Sequence, residues 1–391
     1  MASCAIGNVL MSRRKIGIVG ARGVGNYGGF ETLVAELAPR LSKQGFSVYC
    51  SVERGTETSI VGVPNLQIIT FPLSMPANYY LRHLFEFLYD FYFCTYLSFK
   101  TRCDVVYLLG TTINILSAIP RTCGAKSIVN MAGVEWKRSK FSSLQRRLLK
   151  FSFFLCLLGA NVMVIDNPAL SEEVPERFQR KTALISYGVD EPAATKWDTR
   201  VLPKQKLPLK PTRYWLVIAR VQPDNNIDSV IRAYMFCGSV LPLVIVGDYA
   251  CPPKYKRSIE EAAKSAPDGK TVLLLGGIYD HGILDMLREN AFGYIHPHSI
   301  GGTHPSLLEA MITRSTIIAN DTPFNREVGR SSILYFKTPD ELAEHIDSIE
   351  ASPEIRQNFA SAAYREAKAR FSWNDVVDGY VRLFSRLLEV G

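Results

Sequence analysis

The sequence is short of several features that would place it at once. Its eight cysteines are scattered without a C-x-x-C pair, and its six histidines show no pair at helical zinc spacing. A disulfide framework and a structural zinc are therefore not expected, and a reduced, cytosolic chain is. No apolar run reaches the roughly 20 residues that span a bilayer. The longest, 151–165, is interrupted by Ser152, Gly159 and Asn161 and divides into a helix end and a buried strand, "NVMVID". An export signal is not expected either, because Arg13 and Arg14 follow the weakly apolar start instead of preceding it. Met11 is a second candidate for the first residue. No repeat of 20–50 residues is visible. Carboxylates are outnumbered: 45 Lys and Arg against 37 Asp and Glu leave a formal charge of +8 and point to anionic partners. With 47% hydrophobic and 11% aromatic residues, wholesale disorder is excluded.

What is present is a strand–helix alternation long enough for two domains. "KIGIVG" (15–20), "FSVYCSV" (46–52), "DVVYLLG" (104–110), "KSIVNMAG" (126–133) and "NVMVID" (161–166) are apolar without alternation, the mark of buried parallel strands. Phe30, Leu33, Val34, Leu37 and Leu41 keep helical spacing between the first two, and Gly45 is the stop. Between Asp190 and Thr212 a Pro- and Lys-rich stretch without apolar period reads as a linker. Alternation then resumes with "YWLVIA" (214–219), "LPLVIVG" (241–247), "TVLLLG" (271–276), "FGYIH" (292–296) and "STIIAN" (315–320). The closing stretch 372–390 is an amphipathic helix with Val377, Tyr380, Val381, Phe384 and Leu388 on one face. The expected class is α/β: two Rossmann-like domains, residues 1–205 and 206–371, with 372–391 completing the first.

Tandem open sheets of this kind bind ligands beyond the carboxyl ends of their strands, here in the crevice between domains. Two glycine clusters fall at such ends. "GARGVGNYGGF" (20–30) joins the first strand to its helix, and "GGTHPS" (301–306) leads into "LLEAM". Glycine lets the backbone approach a ligand, a helix start attracts anions, and Pro305 suits the first helical position. Either loop alone can be a plain strand-to-helix turn. Together, on separate domains, they favour phosphate. Glu309 then stands one and a half turns past a phosphate-holding helix start, where a carboxylate reaches the hydroxyls of an attached ribose; the alternative is a solvated helix face, which its neighbours Leu307, Leu308, Ala310 and Met311 leave little room for. Arg220 follows the first strand of the second domain, placed either to grip a diphosphate or as a surface cation.

These residues resemble a known family. The second half is similar to the donor-binding domain of retaining glycosyltransferases of GT-B fold, family 4, through Arg220, "VIVGD" and the glycine turn before "LLEAM". "GARGVGNYGGFETLVAELAPRL", "NMAGVEWKRSKFS", "ARVQPDNNIDSVIRAY" and "GGTHPSLLEAM…ANDTPFNREV" look like its rhamnosyltransferase-type subgroup, and "FSWNDVVDGYVRLF" resembles the last helix, which crosses back to the first domain. The resemblance implies a nucleotide-sugar donor on the second domain and a saccharide acceptor on the first. By it, Glu309 takes the ribose, Arg220 the diphosphate, and Gly301, Gly302 and Thr303 line phosphate and sugar. Gly28 and Gly29 close over the diphosphate from the opposite domain. Apart from the resemblance, His296, His298 and His304 cluster near the glycine turn, placed to touch donor phosphate or sugar; a zinc site is the weaker alternative, because three histidines in one loop lack helical ligand spacing.

Two positions depart from the family pattern. Gly301 stands where many members carry a first glutamate, and Asn225 and Asn226 fill the region of a lysine on the diphosphate. After "SIVNM", where relatives often place His or Asp, Ala132 and Gly133 stand, and Glu135, Lys137 and Arg138 are the nearest polar candidates. No D-x-D sequence for a divalent ion occurs, so no cofactor or metal is expected and the protein supplies the positive field itself. The resemblance implies retention of configuration, without a placed protein nucleophile.

Residues 137–150, "KRSKFSSLQRRLLK", hold six basic residues, among them Lys137, Arg138, Lys140, Arg146 and Arg147, and no acid. With the aromatic stretch 78–99 they suit an anionic leaflet and a lipid-linked acceptor, which places the chain at the inner face of the cytoplasmic membrane. An ordinary packed helix with a basic solvated face is the alternative. Nucleic acid is not expected, since no recognised module appears. Two further functions compete. A nicotinamide dehydrogenase is suggested by "GARGVG" and Glu53, but the glycines are not in G-x-G-x-x-G order and Glu53 lies over thirty residues beyond Gly20. A non-catalytic sugar-nucleotide or membrane-binding protein is suggested by the missing lysine and first glutamate.

Overall fold

The computed structural model describes residues 14–24, 28–56, 60, 62–76, 78–131, 133–138, 141–193, 196–202, 209–249 and 251–389. Met1, Met11, residues 25–27 of the first glycine cluster, Ala132, Lys140 and residues 194–195 and 203–208 of the Pro/Lys stretch lie outside them. The chain divides into two compact bodies, one of residues 1–136, 141–187 and 373–391, the other of 137–140 and 188–372.

The first body is built on seven parallel strands: β1 (Lys15–Val19), β2 (Ser47–Val52), β3 (Leu66–Thr70), β4 (Val105–Leu109), β5 (Lys126–Asn130), β6 (Val162–Ile165) and β7 (Thr182–Leu184). Their order is β3-β2-β1-β4-β5-β6-β7. Three helices of length connect them: α1 (Gly29–Lys43), α2 (Tyr79–Thr95, continued as a π-helical turn Tyr96–Lys100) and α3 (Ser143–Gly159). Strand order reverses after β3, and parallel crossovers are right-handed. Hence α1 covers one face, while α2, the 3-10 segment Thr111–Ala118 and α3 cover the other, the segment packing against both helices.

The central strands are buried along their length, which is why their sequences show no alternation. β3 and β7 were not apparent from sequence. Both are sheet edges and half-exposed, so neither carries a continuous apolar run.

The second body has six parallel strands: β8 (Trp215–Ile218), β9 (Leu243–Val246), β10 (Val272–Gly276), β11 (Gly293–His296), β12 (Ile317–Asn320) and β13 (Leu334–Phe336), in the order β10-β9-β8-β11-β12-β13. The helices are α4 (Ile227–Phe236), α5 (Pro253–Lys264), α6 (His281–Glu289), α7 (Pro305–Ile312), α8 (Pro323–Gly329), α9 (Pro339–Ala351) and α10 (Pro353–Arg370). A core of Trp215, Val217, Ile231, Tyr234, Ile245 and Ile346, all with 1% exposure or less, lies between the sheet and α4 and α9. β13, the short strand missed by sequence, is again an edge.

The last helix, α11 (Trp373–Glu389), returns to the first body. It packs on α1, sets Phe384 edge-on to Phe46 with centroids 5.9 Å apart, and places the Tyr380 hydroxyl 2.6 Å from that of Tyr107 on β4. The amide of Asn130 donates to the same Tyr107 oxygen at 2.6 Å, so the buried pair of phenols is satisfied.

Candidate functional site

On the second body, three loops leave the carboxyl ends of adjacent strands and are tied to one another through backbone oxygens. After β8 the chain passes Arg220 and turns at Pro223–Asn225. The amide of Asn225 donates to the Arg220 carbonyl at 2.8 Å. Asn226 adopts the left-handed conformation, φ 48°, and donates to the Pro297 carbonyl at 2.8 Å. Ser299 donates to the Asp224 carbonyl through its hydroxyl, 2.6 Å, and its N–H, 3.2 Å. Asn325 on α8 then bridges the His298 and Asn320 carbonyls at 3.1 and 2.9 Å. Asparagine suits this work because its amide donates twice to backbone without bringing a charge. Asn225 and Asn226, proposed from sequence as donor contacts, therefore hold the loop around Arg220, and Asn325 was not singled out at all.

Between those loops lie three histidines. The rings of His296 and His298 stack at 4.3 Å, and His304 sits 4.6 Å from His298 and 5.3 Å from His296. Burial holds all three neutral. It pushes His296 well down, with His304 adding to the effect, and His298 well down, with the other two rings and Arg220 and Arg138 adding. Burial takes His304 down to about 3, with Arg138 and Arg220 contributing. Both ring nitrogens of His296 and Nδ1 of His298 have no hydrogen-bond partner among the described residues. The positive charge here is thus carried by two guanidinium groups, and the imidazoles are unprotonated. Among the described residues no His, Cys, Asp or Glu cluster has the makings of a metal site.

The turn 299–304 leads into α7, with His304 at the cap position, Pro305 next and no acidic residue in the first turn. Gly301 is required by a close approach: a Cβ there would collide with the His304 ring. Gly302 and Thr303 are buried beside it.

Glu309, one and a half turns further, is not among leucines without a partner. Its Oε2 accepts from Arg288 on α6, whose side chain is 1% exposed and also donates to Asp285 at 3.0 Å. Burial works against the charge of Arg288, but Glu309, with Tyr294 and Asp285, outweighs it and raises the guanidinium above its ordinary range. The Glu309 side chain keeps 22% exposure, and among the described residues its Oε1 accepts no hydrogen bond. One oxygen is anchored and the other remains available. Arg288 carried no sequence signal, since its partner lies twenty-one residues away across a strand.

Arg220, Asn225, Asn226, Gly301, Gly302, Thr303, His304 and Glu309 all belong to this body, and Lys137 and Arg138 group with it. Gly28, Gly29, Glu135, Arg146 and Arg147 belong to the first. Gly28 caps α1 in extended conformation, and a Cβ on it would meet the Glu31 carboxylate. That carboxylate folds back over the helix start and accepts from the Arg22 N–H at 3.2 Å. Glu135 is half-buried in the turn Glu135–Lys137, next to Trp136, whose ring lies 4.6 Å from Phe153 of α3. Arg146 and Arg147 lie on α3. Glu53, the acid that a dehydrogenase reading would place on a ribose, is buried between Arg22 at 3.8 Å and Arg82 at 3.5 Å. Its charge is already matched within the fold.

Residues 198–366 match the family described as "Glycosyl transferases group 1", and residues 13–190 match a "Domain of unknown function (DUF1972)". No curated protein matches the chain in sequence. Among solved structures it is similar to a sucrose-phosphate synthase from Thermosynechococcus elongatus, TM-score 0.78 at 17% identity, over 97% of this chain and 100% of that one. HepE from Anabaena in complex with UDP-glucose matches with TM-score 0.70 at 15% identity, over 96% and 100%. The catalytic domain of starch synthase IV from Arabidopsis thaliana bound to ADP and acarbose matches with TM-score 0.68 at 14% identity, over 96% and 99%. The chain carries a glycosyl transferases group 1 domain and has the GT-B fold.

Proposed function

We propose that this protein is a glycosyltransferase that moves a sugar, rhamnose favoured, from a nucleoside-diphosphate donor to a saccharide acceptor carried on a lipid, with retention of configuration. The observation that carries the reading is the loop cluster of the second body. There Arg220, the acid-free start of α7 and the neutral histidines surround one turn, and Glu309 stands behind it with one oxygen anchored on Arg288. Similar folds recorded with UDP-glucose and with ADP support a nucleoside diphosphate as the occupant.

Departure of a nucleoside diphosphate builds negative charge on the phosphate and positive charge on the sugar ring. Arg220 and the N–H groups at the start of α7 oppose the first, and they do so without reorganising, because the tied loops fix them in advance. Neutral imidazoles donate hydrogen bonds to phosphate or sugar oxygens without holding the diphosphate back electrostatically. The free Oε1 of Glu309 accepts from a ribose hydroxyl. Glu135 and Arg138 are the polar candidates on the acceptor side of the reaction. Such an enzyme serves the assembly of cell-surface polysaccharide at the inner face of a cytoplasmic membrane.

The test is a donor panel of dTDP-rhamnose and UDP- and GDP-sugars with a lipid-diphosphate saccharide acceptor, read as release of nucleoside diphosphate. Turnover with one donor and its loss in Arg220→Ala are expected. Binding of nucleotide without turnover on any donor would leave a sugar-nucleotide binding protein instead.

A further inference from the structure

We propose that the layer formed by α2, the segment Thr111–Ala118 and α3 on the first body is a docking surface for an anionic lipid bilayer. The inference deepens the reading above, from which it takes only the lipid-borne acceptor.

Eleven of the eighteen large hydrophobic side chains exposed among the described residues fall on this layer and its π-helical extension. On α2 they form a stripe at helical spacing, Leu81, Leu84, Leu88 and Phe91; on α3 a second runs through Leu144, Leu148 and Phe151; Ile115 lies between. Leu144, Leu148 and Phe151 are 67%, 59% and 59% exposed. A helix on a sheet ordinarily turns such a stripe inward. Here each helix buries a second apolar stripe beneath, Tyr89 and Phe93 on α2 and Phe153, Cys156 and Leu157 on α3, so the outer ones are left bare. Contiguous bare apolar surface of this extent marks an interaction site. A groove of about 420 Å³ opens within it, between Thr112 and Asn114 on one side and Leu148, Phe151 and Leu155 on the other.

Charge selects the occupant. No Asp or Glu occurs from Trp136 to Ile165, while Arg146, Arg147 and Lys150 sit on α3 among the bare leucines. On α2 the two acids are neutralised or hidden: Glu86 lies 3.5 Å from Arg82, and Asp90 is 8% exposed. An apolar plane edged with cations complements a leaflet with anionic headgroups, each Lys or Arg adding to the attraction. Among the described residues no helix is long and apolar enough to cross a membrane, so the association is with the surface.

The experiment is co-sedimentation of the full chain with vesicles of phosphatidylcholine alone and of phosphatidylcholine with phosphatidylglycerol. Binding to the anionic vesicles, weakened by salt, is expected. The variants Leu148→Glu/Phe151→Glu and Leu84→Glu/Phe91→Glu each lower it about tenfold or more. Phe236→Glu/Val240→Glu, more exposed still and on the second body, leaves it unchanged. All of these positions are on the surface, and circular dichroism confirms that the variants fold. Equal binding by wild type and both α2 and α3 variants overturns the proposal, as does no binding by wild type. So does a wild-type dimer that these variants convert to monomers, which would make a second copy the occupant. Binding of dTDP, UDP and GDP by the same preparations reads the catalytic proposal separately: vesicle binding without binding of any of the three leaves the surface standing and removes the glycosyl-transfer reading, and the converse removes the surface alone.

Discussion

The two glycine-rich turns look alike in sequence, and the structure makes them electrostatic opposites. At the start of α1 the third helical residue is Glu31, and its carboxylate folds back over the helix terminus. At the start of α7 the same position is Leu307, fully buried, and two guanidinium groups and three neutral rings gather around the turn instead. A helix terminus is an anion site only where the chain has not already supplied the anion. In the proposed reading, one residue three positions into each helix separates the two turns, and the glycines do not.

The comparison can be broken or sharpened by substitution. The largest effect is expected at the anchor of Glu309. Arg288→Met removes a buried cation from two carboxylates and should cost about 3–5 kcal/mol in urea unfolding; a loss below about 1 kcal/mol would mean that the buried pair does not hold the site. Ser306→Glu gives α7 the acidic first turn that α1 has, and Arg220→Ala takes away one of the two nearby cations. Each should weaken the nucleoside diphosphate of the donor that the panel selects, in calorimetric titration, by roughly 10–100-fold, the equivalent of about 1.5–3 kcal/mol. Unchanged affinity in both would place the nucleotide elsewhere.

Acid should act through the histidines. His304 stays unprotonated in the fold down to about 3, while an unfolded histidine takes its proton near about 6.5. The unfolded chain therefore binds more protons between these values, and stability falls as pH drops through that window, by no more than about 1.4 kcal/mol per pH unit for one proton. His304→Asn should flatten the profile there, and an unaltered slope would remove His304 as its source. The smallest effect belongs to α1. Glu31→Gln should lose about 0.5–1 kcal/mol of stability and let inorganic phosphate shift the amide resonances of Gly29 and Phe30. Silence at those amides would mean that the carboxylate is not what closes the terminus.

Most of the architecture was legible because parallel strands buried on both faces need unbroken apolar runs, as in "VVYLL" and "LVIV". The three strands that escaped, β3, β7 and β13, are edges, where half the side chains face solvent and the run dissolves. The residues of the proposed site divide along the same line. Arg220, Gly301 and Glu309 announce themselves by position at strand ends and helix starts. Arg288 and Asn325 act through contacts made across the fold, and a local pattern of residues cannot carry that information. Asn225 and Asn226 were visible, but their work on backbone carbonyls became plain only once the loops were seen together.

The return of α11 has a bearing on biosynthesis. Tyr107 waits for Tyr380 and Phe46 waits for Phe384, so the domain begun first at the ribosome is finished last. Residues 188–372 can collapse on their own sheet while α1 still shows the apolar side that α11 will cover. A nascent chain halted before Trp373 would present one mature module and one unclosed, and the unclosed one is where chaperones and proteases would be drawn.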